Sequence, residues 1–204
     1  TMKMNQTKSK GKAGSGSKRK QMSQQSIAIS VADSDSDAPT KQMATFTGQP
    51  KCLNKECELQ PHQIDSLKWM ASLHENDLNG ILADDMGMGK TIQAIAFIAY
   101  LWESCGIRKS PHLIVAPKST IANWMKEFKI WLPQFRVVNL IPTLEHRDEI
   151  ISKQMKPGKF DVVVTTYEAL RICLGSLKKT NFYMAFFDEA HKLKNAEAIV
   201  AENS

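Results

Sequence analysis

The chain has 204 residues, 42% of them hydrophobic, and a formal net charge of +6. That length allows one ordinary domain and a tail. The charge invites a nucleic-acid reading only until it is located, because residues 1–45 hold eight Lys/Arg against three Asp, whereas residues 46–204 hold nineteen against eighteen. Cys52, Cys57, Cys105 and Cys173 form no CxxC pair, which argues against a zinc knuckle or a disulfide framework and for a reduced, intracellular chain. No apolar run approaches the roughly 20 residues of a membrane span, and the N-terminus has no apolar signal core.

Residues 1–45 are built of Lys, Ser, Gly, Gln, Asp and Thr with few apolar anchors, and are expected to be a disordered tail. Lys8, Lys10, Lys12 and Lys18-Arg19-Lys20 suit a nuclear-import signal, a loose phosphate-binding arm or a plain solvated linker. The run Asp33-Ser34-Asp35-Ser36-Asp37 reads as a phosphate acceptor or an acidic spacer.

Residues 46–204 are expected to form one globular unit. Pro61 suits a first helical turn, and Ile64, Leu67, Met70 and Ala71 predict an amphipathic helix reaching about Glu75. Gly80 to Ala83 reads as a short strand, Asp84 to Gly89 as a glycine-bearing turn, and Lys90 to Trp102 as a helix so apolar that it should be buried. Leu113 to Ala116 predicts a second strand, broken by Pro117. Ser119 is placed to cap a helix whose Ile121, Trp124, Met125 and Phe128 share one face, which predicts core packing for Trp124; Pro133 ends it. Arg136 to Ile141, Asp161 to Thr165 and Tyr183 to Phe187 read as further strands, with a polar-faced helix from Leu144 to Met155 between the first two. Strands alternating with helices, several strands being unbroken apolar runs, predict an α/β fold with a parallel sheet covered on both faces.

Two segments carry chemistry. The first is Asp84-Asp85-Met86-Gly87-Met88-Gly89-Lys90-Thr91, set between a strand and a helix. Gly87 and Gly89 let backbone N–H groups turn around phosphate oxygens, and the following helix points its positive dipole end at the same anion. Lys90 would reach the β- and γ-phosphates and the Thr91 hydroxyl would ligate Mg2+, although Asp84 stands where the general P-loop formula has a glycine. The second is Asp188-Glu189-Ala190-His191 after the apolar strand Met184 to Phe187. A carboxylate at the carboxyl end of a parallel strand faces the crevice where such sheets bind ligands. Asp188 is placed to hold Mg2+, and Glu189 to orient and deprotonate an attacking water.

These segments and three others occur in the order of the Snf-family helicase-like ATPases of superfamily two, which the chain resembles from about Phe46 to Asn195. Leu59-Gln60-Pro61-His62-Gln63 through Met70 resembles the Q motif, with Gln63 as adenine reader, and residues 79–91 resemble motif I. Val115-Ala116-Pro117-Lys118-Ser119-Thr120 with Asn123-Trp124-Met125 and Glu127-Phe128-Lys129 is similar to motif Ia in the wording of the imitation-switch branch. Asp161 to Glu168 resembles motif Ib, and Asp188 to His191 is motif II, a DEAH box. His62, Asp85, Met88, Thr166 and Lys192 depart from the family's usual residues.

The resemblance implies a RecA-like ATP-binding lobe of a nucleosome remodeller, a nuclear enzyme that uses ATP and Mg2+ to translocate on duplex DNA without separating its strands. By the same resemblance Lys118, Ser119, Thr166 and Tyr167 contact the sugar-phosphate backbone, and His191 couples hydrolysis to movement. Nucleosomes with their histones, remodelling-complex subunits and a second ATPase lobe are the implied partners. Two rival readings are an RNA or DNA helicase of the same superfamily and a non-catalytic nucleotide- or DNA-binding product. Since Ser204 comes before anything resembling motif III, the expectation is a truncated lobe, nearly inactive alone, with an open slot in its sheet between the P-loop strand and the motif II strand.

Overall fold

A computed structural model describes residues 27–31, 48–141 and 147–190. Six strands form one sheet in the order β2-β1-β6-β3-β5-β4. They are β1 (Ile27–Val31), β2 (Gly80–Leu82), β3 (His112–Val115), β4 (Val137–Leu140), β5 (Val162–Thr165) and β6 (Met184–Asp188). The helices are α1 (Pro61–Glu75), α2 (Lys90–Glu103), α3 (Ile121–Trp131), α4 (Arg147–Gln154), α5 (Tyr167–Ile172) and α6 (Leu174–Leu177). β3, β4, β5 and β6 are mutually parallel, and β1 runs antiparallel to both neighbours, so β2 points the same way as β6.

Alternate side chains of the strands go to opposite faces. Ile114, Val162, Val164, Met184 and Phe186 pack under α1, α2 and α3, while Leu113, Val115, Val138, Leu140 and Val163 pack with Met155, Phe160, Cys173 and Leu177 on the other face. α2 is buried from Gln93 through Leu101, as its all-round apolarity requires. α1 begins on Pro61, with the Gln60 backbone N–H donating to Gln63 Oε1 at 3.0 Å. α3 ends at Trp131, ahead of Pro133, because the residue before a proline is pushed out of helical geometry.

Three expectations need correction. Ile27–Val31, assigned to the disordered tail, is a strand: Ile27 and Ile29 are 1% and 5% exposed on the α1–α3 face. A period-two apolar pair outweighs the polar average of its surroundings. That strand lies between β2 and β6, so the expected open slot is filled and both flanking strands are paired. The cap of α3 is Thr120, not Ser119, and no side-chain bond is made there. The short helices α5 and α6 were not anticipated. α5 starts because Thr166 Oγ1 accepts from the Ala169 backbone N–H at 3.1 Å. His191 to Asn195 and Leu144 to His146 lie outside the described residues.

At the amino edge of β3, His112 is 2% exposed and packs edge-on to Tyr183 and Phe186. Burial drives its imidazole down to about 4 from 6.5, with nearby Asp161 opposing the fall and His74 adding to it. The unfolded chain therefore takes up the proton first as pH falls. The contribution is fully present above pH 6.5 and is lost as pH drops toward 4. Urea midpoints should be level near neutrality and fall across that window by an amount worth on the order of 2–3 kcal/mol, and His112→Phe should flatten the slope. An unchanged slope in the variant would contradict this origin.

Candidate nucleotide site

The carboxyl edge of the sheet gathers four connections: residues 83–89 after β2, 116–120 after β3, Thr166 after β5, and Asp188-Glu189 at the end of β6. In parallel α/β sheets this is the edge where ligands bind. Gly87, Gly89, Lys90, Thr91, Ile92, Thr120, Asn123, Glu127 and Asp188 line a cleft of about 270 Å³ there.

The turn before α2 needs its glycines. Gly87 and Gly89 have φ of +88° and +76°, and a Cβ on Gly89 would also strike the Gln63 side-chain amide. Lys90 is 8% exposed, and its Nζ donates to the carbonyls of Asp84 and Asp85 at 2.7 Å each. The ammonium thus spans the loop and is held where it faces the cleft. Asp84 Oδ2 accepts from Gln93 Nε2 at 3.1 Å, which ties the loop to α2, and lies 3.5 Å from the Ser66 hydroxyl, whose closer partner is the His62 carbonyl at 3.0 Å. This gives the Asp84 side chain a use at a position where the generic loop has glycine. The Met88 carbonyl receives Gln93 Nε2 at 3.0 Å and Gln63 Nε2 at 3.3 Å, with His62 Nε2 at 3.2 Å. Gln63 and His62 are therefore braces between α1 and the glycine turn. Met86 is exposed, and Asp85 contributes its carbonyl.

Across the cleft, Asp188 is 8% exposed. Trp124 Nε1 donates to its Oδ2 at 3.0 Å, and the Thr120 hydroxyl lies 3.3 Å from the same oxygen and 3.0 Å from the Pro117 carbonyl. A hydroxyl has a single proton, so Trp124 is the firmer anchor. Both donors meet Oδ2. Trp124 is in the core, as its place on the apolar face of α3 predicts, and it is also the carboxylate's anchor. Reading that face as packing alone missed the indole N–H; a buried Trp requires a partner for that group, and this was the available signal. Asn123 and Glu127 in the cleft wall were missed as well, being polar residues on the solvent-turned side of the same helix.

Glu189 follows with φ of +52°, left-handed backbone that costs a non-glycine residue roughly 1–2 kcal/mol, and it does not line the cleft. Non-glycine strain of this kind concentrates at functional sites. Of the four residues expected on DNA, Lys118 and Ser119 are exposed on the loop after β3. Thr166 and Tyr167 make bonds within the protein. Thr166 is 4% exposed and caps α5, and the Tyr167 hydroxyl donates to the Asp188 carbonyl at 2.7 Å. Burial, with the charges of Asp188 and Glu189, pushes the Tyr167 phenol well above its usual range, so it stays a donor. The Tyr167 bond helps hold the backbone on which Asp188 rides.

The Thr91 hydroxyl and the Asp188 carboxylate line the cleft together with Thr120, Asn123 and Glu127, and among the described residues no group of three or more His, Cys, Asp or Glu could hold a metal. Such a sparse oxygen set suits Mg2+, which keeps waters and takes its other ligands from phosphates. Residues 62–203 match the SNF2-related domain. The chain belongs to the SNF2-related domain family. It is 45% identical over 156 residues to an Arabidopsis thaliana protein named "Probable ATP-dependent DNA helicase CHR12", covering 76% of this chain and 14% of that protein. It is 43% identical over 144 residues to the human SWI/SNF-related matrix-associated actin-dependent regulator of chromatin subfamily A member 1, covering 71% and 14%. A solved Sulfolobus solfataricus SWI2/SNF2 ATPase core in complex with dsDNA aligns with TM-score 0.49 and 29% identity over 60% of this chain and 24% of that one. The chain spans about one-seventh of the length of these curated relatives. SNF2-family proteins of several branches match, some named for the imitation-switch group and others not.

Removing the indole N–H by Trp124→Phe should lower stability by about 1–3 kcal/mol, the value of a hydrogen bond to a charged group, while leaving the ring packing of α3 largely in place. Equal urea midpoints for parent and variant would show that the Asp188 contact contributes nothing.

Proposed function

We propose that this chain is the ATP-binding lobe of an SNF2-type DNA translocase, an ATP hydrolase that moves on duplex DNA and remodels nucleosomes when joined to a second lobe. The carrying observation is that Lys90 and Thr91, at the start of α2, line one cleft with Asp188 at the end of β6. A cationic side chain with glycine-turned backbone on one wall and a carboxylate on the other matches a magnesium-bound triphosphate in charge and chemistry.

In this reading the 87–91 turn and the α2 N-terminus cradle the phosphates. Lys90 exchanges its loop carbonyls for phosphate oxygens, and Thr91 and Asp188 hold the metal. Bound Mg2+ supplies neutralisation of the charge that builds on the transferred group. Glu189, next to Asp188 but outside the cleft lining, turns toward the phosphates to orient and deprotonate the attacking water. Gln63, already at the glycine turn, reads the adenine, and His191 couples the site to DNA. Lys118 and Ser119 meet the DNA phosphates, which positions the lobe without reading sequence. Support for the finer assignment to the imitation-switch branch is the lysine in Pro117-Lys118-Ser119. The basic N-terminal stretch suits a nuclear address, and histones and complex subunits are the partners this reading requires. Strand separation by a two-lobe form would favour the helicase alternative.

Calorimetric titration of the chain with Mg·ATP should show binding that Lys90→Ala abolishes and Asp188→Asn weakens only when Mg2+ is present. Unchanged affinity in Lys90→Ala would contradict the phosphate assignment. Lys118→Ala should leave nucleotide affinity alone and reduce the salt slope of duplex binding by about 0.9, one phosphate contact; an unaltered slope would remove Lys118 from the DNA path.

A further inference from the structure

β1 lies outside the 62–203 stretch matched to the family, and it is the one antiparallel strand among the described strands of the sheet. Its register is specific: Ile27 is opposite Leu82 on one side and Asp188 on the other, Ala28 opposite Ile81 and Phe187, and Ile29 opposite Gly80 and Phe186. Leu82 leads directly into the loop that Lys90 spans, and Asp188 is the carboxylate across the cleft. A five-residue segment from the N-terminal region therefore separates the two strands that carry the two walls of the site.

Neighbouring strands lie about 4.8 Å apart, so one intervening strand sets β2 and β6 roughly 10 Å from each other. Without it, two outcomes are open to the chain. β2 and β6 close up as direct partners, which shifts Lys90 and Asp188 by about one strand spacing, or their inner edges stay unpaired. A shift of that size is several times the roughly 1 Å misplacement that already impairs a positioned site. Ile27 and Ile29 hold the strand by packing beneath the helices, and neither lines the cleft.

We propose that Ile27–Val31 is a positioning strand for the nucleotide site, setting the distance between the phosphate-binding loop and Asp188, so that Mg2+-dependent nucleotide binding is under the control of a segment outside the family-matched region. This rests on the nucleotide reading above and adds a regulatory handle to it: whatever withdraws the segment uncouples the two walls.

The test uses the full chain and a non-hydrolysable ATP analogue, titrated with and without Mg2+. Ala28→Pro removes a ladder donor and forces β1 out of register. The expected result is a loss on the order of tenfold in Mg2+-dependent affinity, a smaller change without Mg2+, and recovery when a synthetic peptide spanning residues 24–34 is added. A merely structural role would lower the melting temperature and leave the affinity of the folded protein and its Mg2+ dependence unchanged; that result overturns the proposal. Should Ala28→Pro fail to fold, the pair Ala28→Cys with Phe187→Cys decides. Bridging of the two thiols by a short bifunctional reagent with nucleotide affinity retained supports the strand, and absence of the bridged peptide overturns it. If the parent chain binds no nucleotide, the reading of the cleft itself fails; if the parent binds and Ala28→Pro binds equally, only the positioning strand fails.

Discussion

In the proposed reading two strand ends meet at one anion, and the order of the sheet sets their spacing. β2 and β6 point the same way, so the loop after one and the carboxylate ending the other emerge at the same sheet edge. Hydrogen-bonded strands have nearly fixed separations, and side-chain packing cannot stretch them. Hence the distance between Lys90 and Asp188 is a property of the sheet order before it is a property of either residue.

On each side of the cleft the functional group is held by bonds that the apolar core makes rigid. Asp188 is anchored by the indole of Trp124, itself 0% exposed on α3, and its own carbonyl is gripped by Tyr167 at the start of α5. The glycine turn is braced through the Met88 carbonyl by Gln63 from α1 and Gln93 from α2, the latter also holding Asp84. Preorganised groups of this kind need little rearrangement when charge develops between them. Two of the departures from the family's usual wording act as braces: His62 reaches the same carbonyl as Gln63, and Thr166 serves as a helix cap.

Much of this was legible in the sequence, for physical reasons. The glycine spacing before Lys90, the unbroken apolar run of α2 and the carboxylates after a buried strand are local signals, because each arises from backbone conformation or burial along one segment. What escaped was non-local. Ile27–Val31 is a five-residue, largely apolar run within a polar stretch, and its value comes from partners more than fifty positions away. The second duty of Trp124 and the inward turn of Tyr167 depend on which strand end lies beside them. Composition averaged over 1–45 therefore hid a strand, and the internal bonds of Thr166 and Tyr167 could not be read from the motif that carries them.

The central claim, that both walls serve one metal-bound triphosphate, is tested most directly by replacing Mg2+ with paramagnetic Mn2+ in a complex of the chain with an ATP analogue and recording amide spectra. The account predicts that the signals of Thr91 and Asp188 broaden together, at the same nucleotide concentration. Broadening confined to one of them, with the other unchanged at saturation, would contradict it.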